Sequence, residues 1–374
     1  MEIRRLEVWE HKKTRPLYEE VFPEDSKGFV DYYYTEKTKD NQIYVVEEDG
    51  MICAMLHLNP YPVMVNGSEK LLHYIVAVAT KPEYRKRGYM AALIRRALED
   101  MYAAGEIFTY LMPAAEGIYL PHDFRTVYRQ ERRFYEDVDG CTARPGDGES
   151  KGTQPGETER ALSDGCTVRP AEAADCESLA EAAEAYLSGK YQVYAKRDKA
   201  YYKRLLKEYA SEGGKLMLTI EEGQITDCRI YEPDRDADSG MDKKTGSGAD
   251  REENSAKESA PLIMVRVVDA RRLLMSVGLS GLCAACFCIT DPLIPENNRC
   301  VVITGTEYSG VMLMDGKEEN SEGTIPVSSL AAFLFGVLTV EELRGEEGVE
   351  MSERLMGELG KIIPLKKIYL NEVV

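Results

Sequence analysis

The chain has 374 residues, with 47 Lys and Arg against 65 Asp and Glu, for a formal net charge of −18. At about 100–200 residues per domain, this length argues for two or three domains. The acidity excludes a general nucleic-acid binder, which needs basic patches to displace phosphate counterions. Hydrophobic residues make up 44% of the chain, enough for ordinary cores. No run approaches 18 apolar residues, so no membrane span is expected. The opening MEIRRLEVWEHKK lacks the apolar core of a signal peptide, so a cytoplasmic location is expected. Nine cysteines are too few for a disulfide scaffold and read as mostly reduced, small, half-buried side chains.

Taken in order, Thr14–Phe22 reads as a helix with Leu17, Val21 and Phe22 on one side. Tyr32-Tyr33-Tyr34 reads as packing surface. Ile43–Glu48 and Met51–Asn59 form an expected hairpin joined at Glu48-Asp49-Gly50. Leu71–Thr80 is a β-rich run, followed by the polar turn Lys81–Gly88. Met90, Leu93, Ile94, Ala97, Leu98 and Met101 then recur at helical spacing, and Gly105 sits at the helix stop. Ile107–Met112 is another strand, so this stretch is a βαβ unit with parallel strands and a right-handed crossover.

Two stretches lack hydrophobic periodicity: Thr142–Arg160, read as a linker, and Glu232–Ala260, read as a flexible acidic loop. They divide the chain into 1–145, 161–260 and 261–374. Between them, Gly165–Tyr231 shows only strand, helix, helix and strand signals.

The turn Arg85-Lys86-Arg87-Gly88 joins an apolar strand to an amphipathic helix. Helix N-terminal N–H groups and the helix dipole favour an anion there, and the glycine allows close approach to the backbone. Three cations at a helix N-terminus oppose the dipole, and a bound anion compensates both. Neither GxxxxGK[ST] nor GxGxxG occurs at this turn. Instead, Thr80-Lys81-Pro82-Glu83-Tyr84-Arg85-Lys86-Arg87-Gly88-Tyr89-Met90 resembles motif A of the GNAT superfamily of acetyl-CoA-dependent N-acetyltransferases. Thr80 stands where that motif commonly has valine, and Met90 where it has a small residue. Neither change removes a backbone donor.

Pro113-Ala114-Ala115-Glu116-Gly117-Ile118-Tyr119, together with the chain length, resembles the Eis (enhanced intracellular survival) family of bacterial acetyltransferases. Thr290–Asn298 (TDPLIPENN) and the ending Ile368–Val374 (IYLNEVV) are similar to stretches of that family's C-terminal region. The resemblance implies an α+β protein. It would have an N-terminal GNAT fold with a mixed sheet flanked by helices, a degenerate GNAT-like middle region and a C-terminal α/β domain of the sterol-carrier type.

It also implies acetyl-CoA as co-substrate, with no metal. Val78, Ala79, Thr80, Arg85, Lys86, Arg87, Gly88, Tyr89, Met90 and Ala91 would bind its pyrophosphate and pantetheine. Ala114 and Ala115 would lie near the acetyl group. Tyr119 matches the family's general acid, and the main-chain carboxylate of Val374 its general base. A phenol near pKa 10 is a weaker acid than a thiol near 8.5, so a strengthening hydrogen bond is the role expected of Tyr119. The apolar tail Lys361–Val374 is expected to be docked.

Acidity and resemblance together point to a cationic amine acceptor, aminoglycoside- or polyamine-like, and to a homo-oligomer without nucleic-acid or membrane partners. Two other functions stay open on the sequence: a CoA-binding regulatory protein without transfer activity, and a lipid-binding protein. Cys283-Ala284-Ala285-Cys286 reads as part of a buried strand, not a zinc or redox site. His11, His57, His73 and His122 have no metal spacing, though His122, three residues after Tyr119, is a candidate lining residue.

Overall fold

The computed structural model describes residues 2–130, 160–162, 166–231 and 261–372. β1 (Glu2–Arg5) leads through a 3-10 turn into α1 (Arg15–Val21) and α2 (Lys27–Thr35). Ser26 caps α2 by accepting from Phe29 N–H at 3.0 Å. β2 (Gln42–Glu48) and β3 (Met51–Val65) form the expected hairpin, with Asp49 and Gly50 at positive φ. β3 runs six residues past its expected end. It turns at Asn66-Gly67, also at positive φ, into β4 (Ser68–Thr80). α3 (Tyr89–Ala104) follows, closed by Gly105 at φ 82°. Then come β5 (Phe108–Leu111), the short α4 (Glu116–Tyr119) and β6 (Arg125–Arg129).

The middle of the chain supplies β7 (Arg160–Leu162), β8 (Cys166–Pro170), α5 (Cys176–Lys190), β9 (Val193–Ala195), α6 (Lys199–Ser211), β10 (Lys215–Glu221) and β11 (Gln224–Tyr231). Four of these strands form a separate sheet in the order β11-β10-β8-β7. β9 departs from it and pairs antiparallel with β3. Of the two stretches read as linkers, all but Arg160 lies outside the described residues.

β12 (Leu262–Val267) opens the last third of the chain, and it is laid into the first sheet between β5 and β6. α7 (Ala270–Leu274), β13 (Gly278–Leu279), β14 (Cys283–Thr290), β15 (Arg299–Thr306), β16 (Gly310–Asp315) and β17 (Gly323–Pro326) follow. After these come α8 (Val327–Leu334), α9 (Val340–Arg344), β18 (Glu350–Met351), α10 (Glu353–Leu359), β19 (Ile362–Ile363) and β20 (Ile368–Tyr369). A five-stranded sheet, β16-β15-β14-β17-β18, dominates this region. Cys283–Cys288 lies on β14 as expected. Among the described residues, Cys288 and Cys300 depart from the reduced reading: they face each other across β14 and β15 and are disulfide-bonded. Cys53, Cys176, Cys228, Cys283 and Cys286 are free and buried.

The nine-stranded sheet therefore draws strands from all three parts of the chain: β1-β2-β3-β4-β5-β12-β6, with β9 on β3 and β20 on β9. One apolar core runs from α3 and this sheet into α8 and the C-terminal region, with Phe108 edge-on to Phe335 at 5.2 Å. A second core holds α1 and α2 against Ile43, Val45, Met55, Ala77 and Ala79. Among the described residues no helix is long and apolar enough to cross a membrane.

Arg266 ties the C-terminal region to the first sheet. It is fully buried on β12 and donates to Asp291 at 2.5 Å and to the His122 carbonyl at 3.0 Å. Asp291 in turn accepts from the N–H groups of Leu293 and Ile294 and from Asn297. Removing one partner of such a pair strands a buried charge. Arg266→Ala should therefore lower the unfolding free energy by roughly 3–5 kcal/mol. Urea denaturation followed by circular dichroism measures this, and an unchanged midpoint would contradict the assignment.

Candidate active site

β4 and β5 are parallel neighbours, yet only Tyr74 and Tyr110 pair across them. The cause lies in β4. Between Met55↔Ala79 and His57↔Val76 the register slips, so Ala77 and Val78 oppose a single β3 residue. Ala77 adopts φ 50°, a left-handed value that alanine avoids. This is a β-bulge, which bends its strand and strengthens its twist. Past the bulge β4 departs from β5, and the two strands form a V.

The closed end of the V is secured by buried polar contacts. Glu106 accepts from His73 N–H at 3.0 Å and contacts His73 Nδ1 at 2.7 Å. Thr109 Oγ1 donates to the His73 carbonyl at 2.7 Å, and Met112 N–H to the Tyr74 hydroxyl at 3.3 Å. At the open end, Lys81 N–H donates to Cys53 of β3. Strand alternation then turns the N–H and C=O of Val78 and Thr80 away from β3, towards the gap. Ala79 packs instead into the core under α1 and α2.

The basic turn sits at the wide mouth of the V. Lys86 and Gly88 both have positive φ, 61° and 82°. Ala92 N–H makes the first bond of the α3 ladder, to the Gly88 carbonyl at 3.0 Å. The amides ahead of it cluster at the N-terminus of a 16-residue helix. Gly88 caps that helix with open space where a side chain would stand. Arg85 folds back onto the Thr80 carbonyl at 3.2 Å. Arg87 donates to the Glu83 carbonyl at 3.0 Å and lies over the Tyr84 ring at 4.7 Å. Arg85, Lys86 and Arg87 are all exposed. Tyr89 is buried and donates to Glu48, Met90 is half-buried, and Ala91 is exposed.

Across the gap, at the end of β5, Ala114 and Ala115 are exposed and lead into α4. Tyr119 ends α4 and is 8% exposed, edge-on to Phe124 at 5.7 Å. Burial pushes its hydroxyl up to about 12. The expected site residues other than Val374 thus fall on the end of β4, the turn into α3, the first turn of α3, and the segment from β5 through α4. Val374 lies outside the described residues. His122 gives its carbonyl to Arg266, and burial lowers its pKa. Among the described residues, no group of three or more His, Cys, Asp or Glu side chains could hold a metal ion.

Several polar residues near the narrow end of the V were not singled out by sequence. Lys37 is buried, with Nζ 2.6 Å from the Tyr61 hydroxyl, and burial pulls it down to about 8. Arg197 and Glu372 form a fully buried ion pair. α6 leans on α2 through Tyr32 to Glu208 at 3.1 Å, and Arg204 reaches Asp40 at 2.6 Å. The only sequence signal for these was the docked tail, which reaches Glu372. A lone Arg or Lys carries none.

Residues 2–127 match the family model described as the acetyltransferase (GNAT) domain. The chain thus carries an acetyltransferase domain and is an acyltransferase. No curated protein sequence matches it. Among solved structures, a probable N-acyltransferase from Enterococcus faecalis V583 aligns at TM-score 0.70 and 15% identity, over 100% of this chain and 99% of that one. A GCN5-related N-acetyltransferase from Anabaena variabilis aligns at 0.70 and 14%, over 100% of both chains. Eis1 from Mycobacterium abscessus aligns at 0.65 and 13%, again over 100% of both. At these identities the likeness is one of fold.

The burial of Tyr119 has a direct consequence. In protein labelled with 13Cζ-tyrosine, the Tyr119 resonance, assigned by its loss in Tyr119→Phe, should stay at its neutral position from pH 7 to about pH 10.5. Titration at the ordinary tyrosine value would show the ring to be solvated.

Proposed function

We propose that the protein is an acetyl-CoA-dependent N-acetyltransferase that acetylates a primary amine of a cationic small molecule, aminoglycoside- or polyamine-like, in a ternary complex. The observation that carries this is the V between β4 and β5. One wall offers the backbone of Val78 and the Thr80 N–H, turned away from β3, and the mouth offers the helix N-terminus at Gly88. An extended amide-bearing chain ending in a pyrophosphate fits such a slot. The amides can pair with the strand edge, and the diphosphate meets Lys86, Arg87 and the amides of Gly88 to Ala91. Acetyl-CoA supplies an activated acyl group there as a thioester.

In the reaction the amine lone pair attacks the thioester carbonyl. The C–S bond breaks, the amine gives up one proton and the thiolate takes one. The Tyr119 hydroxyl at about 12 is a weaker acid than a thiol near 8.5 by about 3.5 pKa units, or about 5 kcal/mol. Tyr119 therefore works as a hydrogen-bond donor that strengthens as charge grows on sulfur, not by full proton transfer. The Val374 carboxylate receives or relays the amine proton. The net charge of −18 favours a cationic acceptor at long range.

The finer assignments belong to the same proposal. The Eis-type ending, the whole-chain likeness to Eis1 and the docked tail support three parts: an acetyltransferase domain at 1–145, a degenerate GNAT-like region at 161–260 and a sterol-carrier-type region at 261–374. β12 then belongs by sequence to the third part and by pairing to the first sheet. A cytoplasmic homo-oligomer is the expected form.

Thiol release from acetyl-CoA with a panel of primary amines tests the reaction; no release while CoA still binds would overturn it. Tyr119→Phe should cut kcat by about tenfold or more and leave CoA affinity within about twofold. Gly88→Glu places a carboxylate and a strained backbone at the anion site, so CoA affinity should fall by at least about tenfold. Unchanged affinity by titration calorimetry would sink the phosphate assignment.

A further inference from the structure

Glu372 is the last described residue, and its carboxylate is held from one side. Oε1 accepts from Arg197 Nε at 3.2 Å and Nη2 at 3.1 Å, with both side chains 1% exposed. The Arg197 guanidinium also lies over the rings of Tyr369 and Tyr201, at 5.1 and 5.5 Å. The other oxygen, Oε2, is buried and has no hydrogen-bond partner among the described residues. The Tyr110 hydroxyl is also buried, again with no hydrogen-bond partner among the described residues. Buried polar groups are nearly always satisfied, and an exception calls for a ligand or a water. An exposed lone pair on a buried carboxylate is the costliest kind of exception.

The tail that carries Glu372 spans the sheet on both sides of β5: Leu370 and Asn371 accept from Gln130 and Tyr128 at β6, and Lys196, beside Arg197, donates its N–H to Pro62 of β3. Tyr110 is the β5 partner of Tyr74 at the apex of the V, with ring centroids 5.3 Å apart. After burial, the charge of Glu372 is the next largest influence raising Tyr110, and it also raises Tyr74 and Tyr61. Tyr119 acts on Tyr74 in the same way. The carboxylate is therefore within electrostatic reach of the tyrosines at the narrow end of the cleft. The cations around it are committed elsewhere: Arg197 to Oε1, Lys37 to the Tyr61 hydroxyl at 2.6 Å, and Arg204 to Asp40 at 2.6 Å.

We infer that Glu372 Oε2, with the Tyr110 hydroxyl oxygen as second acceptor, forms an ammonium-binding subsite that seats the acceptor amine at the apex of the cleft. A primary ammonium suits these acceptors because it brings three N–H donors and the positive charge that a carboxylate oxygen without a donor requires. Arg197 is a positioning residue. Its planar fork fixes Oε1 and leaves Oε2 turned inward. The subsite rests on the acetyl-transfer reading above and adds the residue that recognises the amine.

Thiol release is measured with spermidine and with kanamycin as acceptors. Glu372→Gln should raise the amine KM by at least about tenfold, the loss of one charge-assisted hydrogen bond. The acetyl-CoA KM should stay within about twofold, because acetyl-CoA does not occupy the ammonium site. Tyr110→Phe leaves the Arg197–Glu372 pair intact and should raise the amine KM several-fold while preserving the thermal melting point. An unchanged amine KM in both variants would overturn the subsite. So would a uniform fall of all rates with the melting point in Glu372→Gln together with a silent Tyr110→Phe, since Glu372 would then be a structural anchor. If the wild-type protein binds CoA and acetylates no amine, the acetyl-transfer reading fails, and the subsite with it.

Discussion

The architecture depends on one local constraint, the extra residue at Ala77 that parts β4 from β5. A flat pairing of these strands would satisfy every backbone group and leave no room for a ligand. The bulge costs a left-handed alanine and a break in register, and strain of this order persists only where the surroundings enforce it. They do so here from both sides. Ala77 and Ala79 are clamped under α1 and α2, while His73, Glu106 and Thr109 lock the apex. The cleft is thus a property of the sheet itself and not of a mobile loop.

The far end of the chain is anchored to the same sheet by ordinary strand pairing. β20 pairs with β9 at Ile368↔Val193 and Tyr369↔Tyr194, and β9 pairs with β3 at Val63–Val65. Leu365, Ile368 and Leu370 are buried behind them. Asn371 is also buried, and it accepts from the Tyr128 hydroxyl at 2.9 Å. The residues that lead to the chain terminus are thereby held beside a cleft whose walls were laid down nearly three hundred residues earlier.

Much of this was legible in the sequence. The helical spacing of Met90 to Met101, the stop at Gly105 and the anion-ready turn are local signals, and local signals survive in a single sequence. The end of β3 was missed at Pro60 and Pro62, which weaken a strand reading, and the second hairpin at Asn66-Gly67 was missed with it. The bulge had no signal, since an alanine in an apolar run carries no turn chemistry. Arg197 and Glu372 were invisible as a pair because 175 positions separate them and only the fold brings them together. β12 was not read from the sequence at all, and no local pattern would have given its neighbours, which periodicity never specifies.

That last strand has a consequence for the order of assembly. β12 supplies the hydrogen-bonding partner of both β5 and β6, yet it emerges from synthesis more than a hundred residues after them. Until then β5 presents a bare edge of buried-type residues, Phe108 to Leu111, to whatever strand comes near. The catalytic sheet is closed by a pairing of high sequence separation, which is intrinsically slow to form. A nascent chain of this protein therefore spends time as an incomplete sheet with a template edge, and a truncation at the natural-looking boundary near residue 145 would make that intermediate permanent.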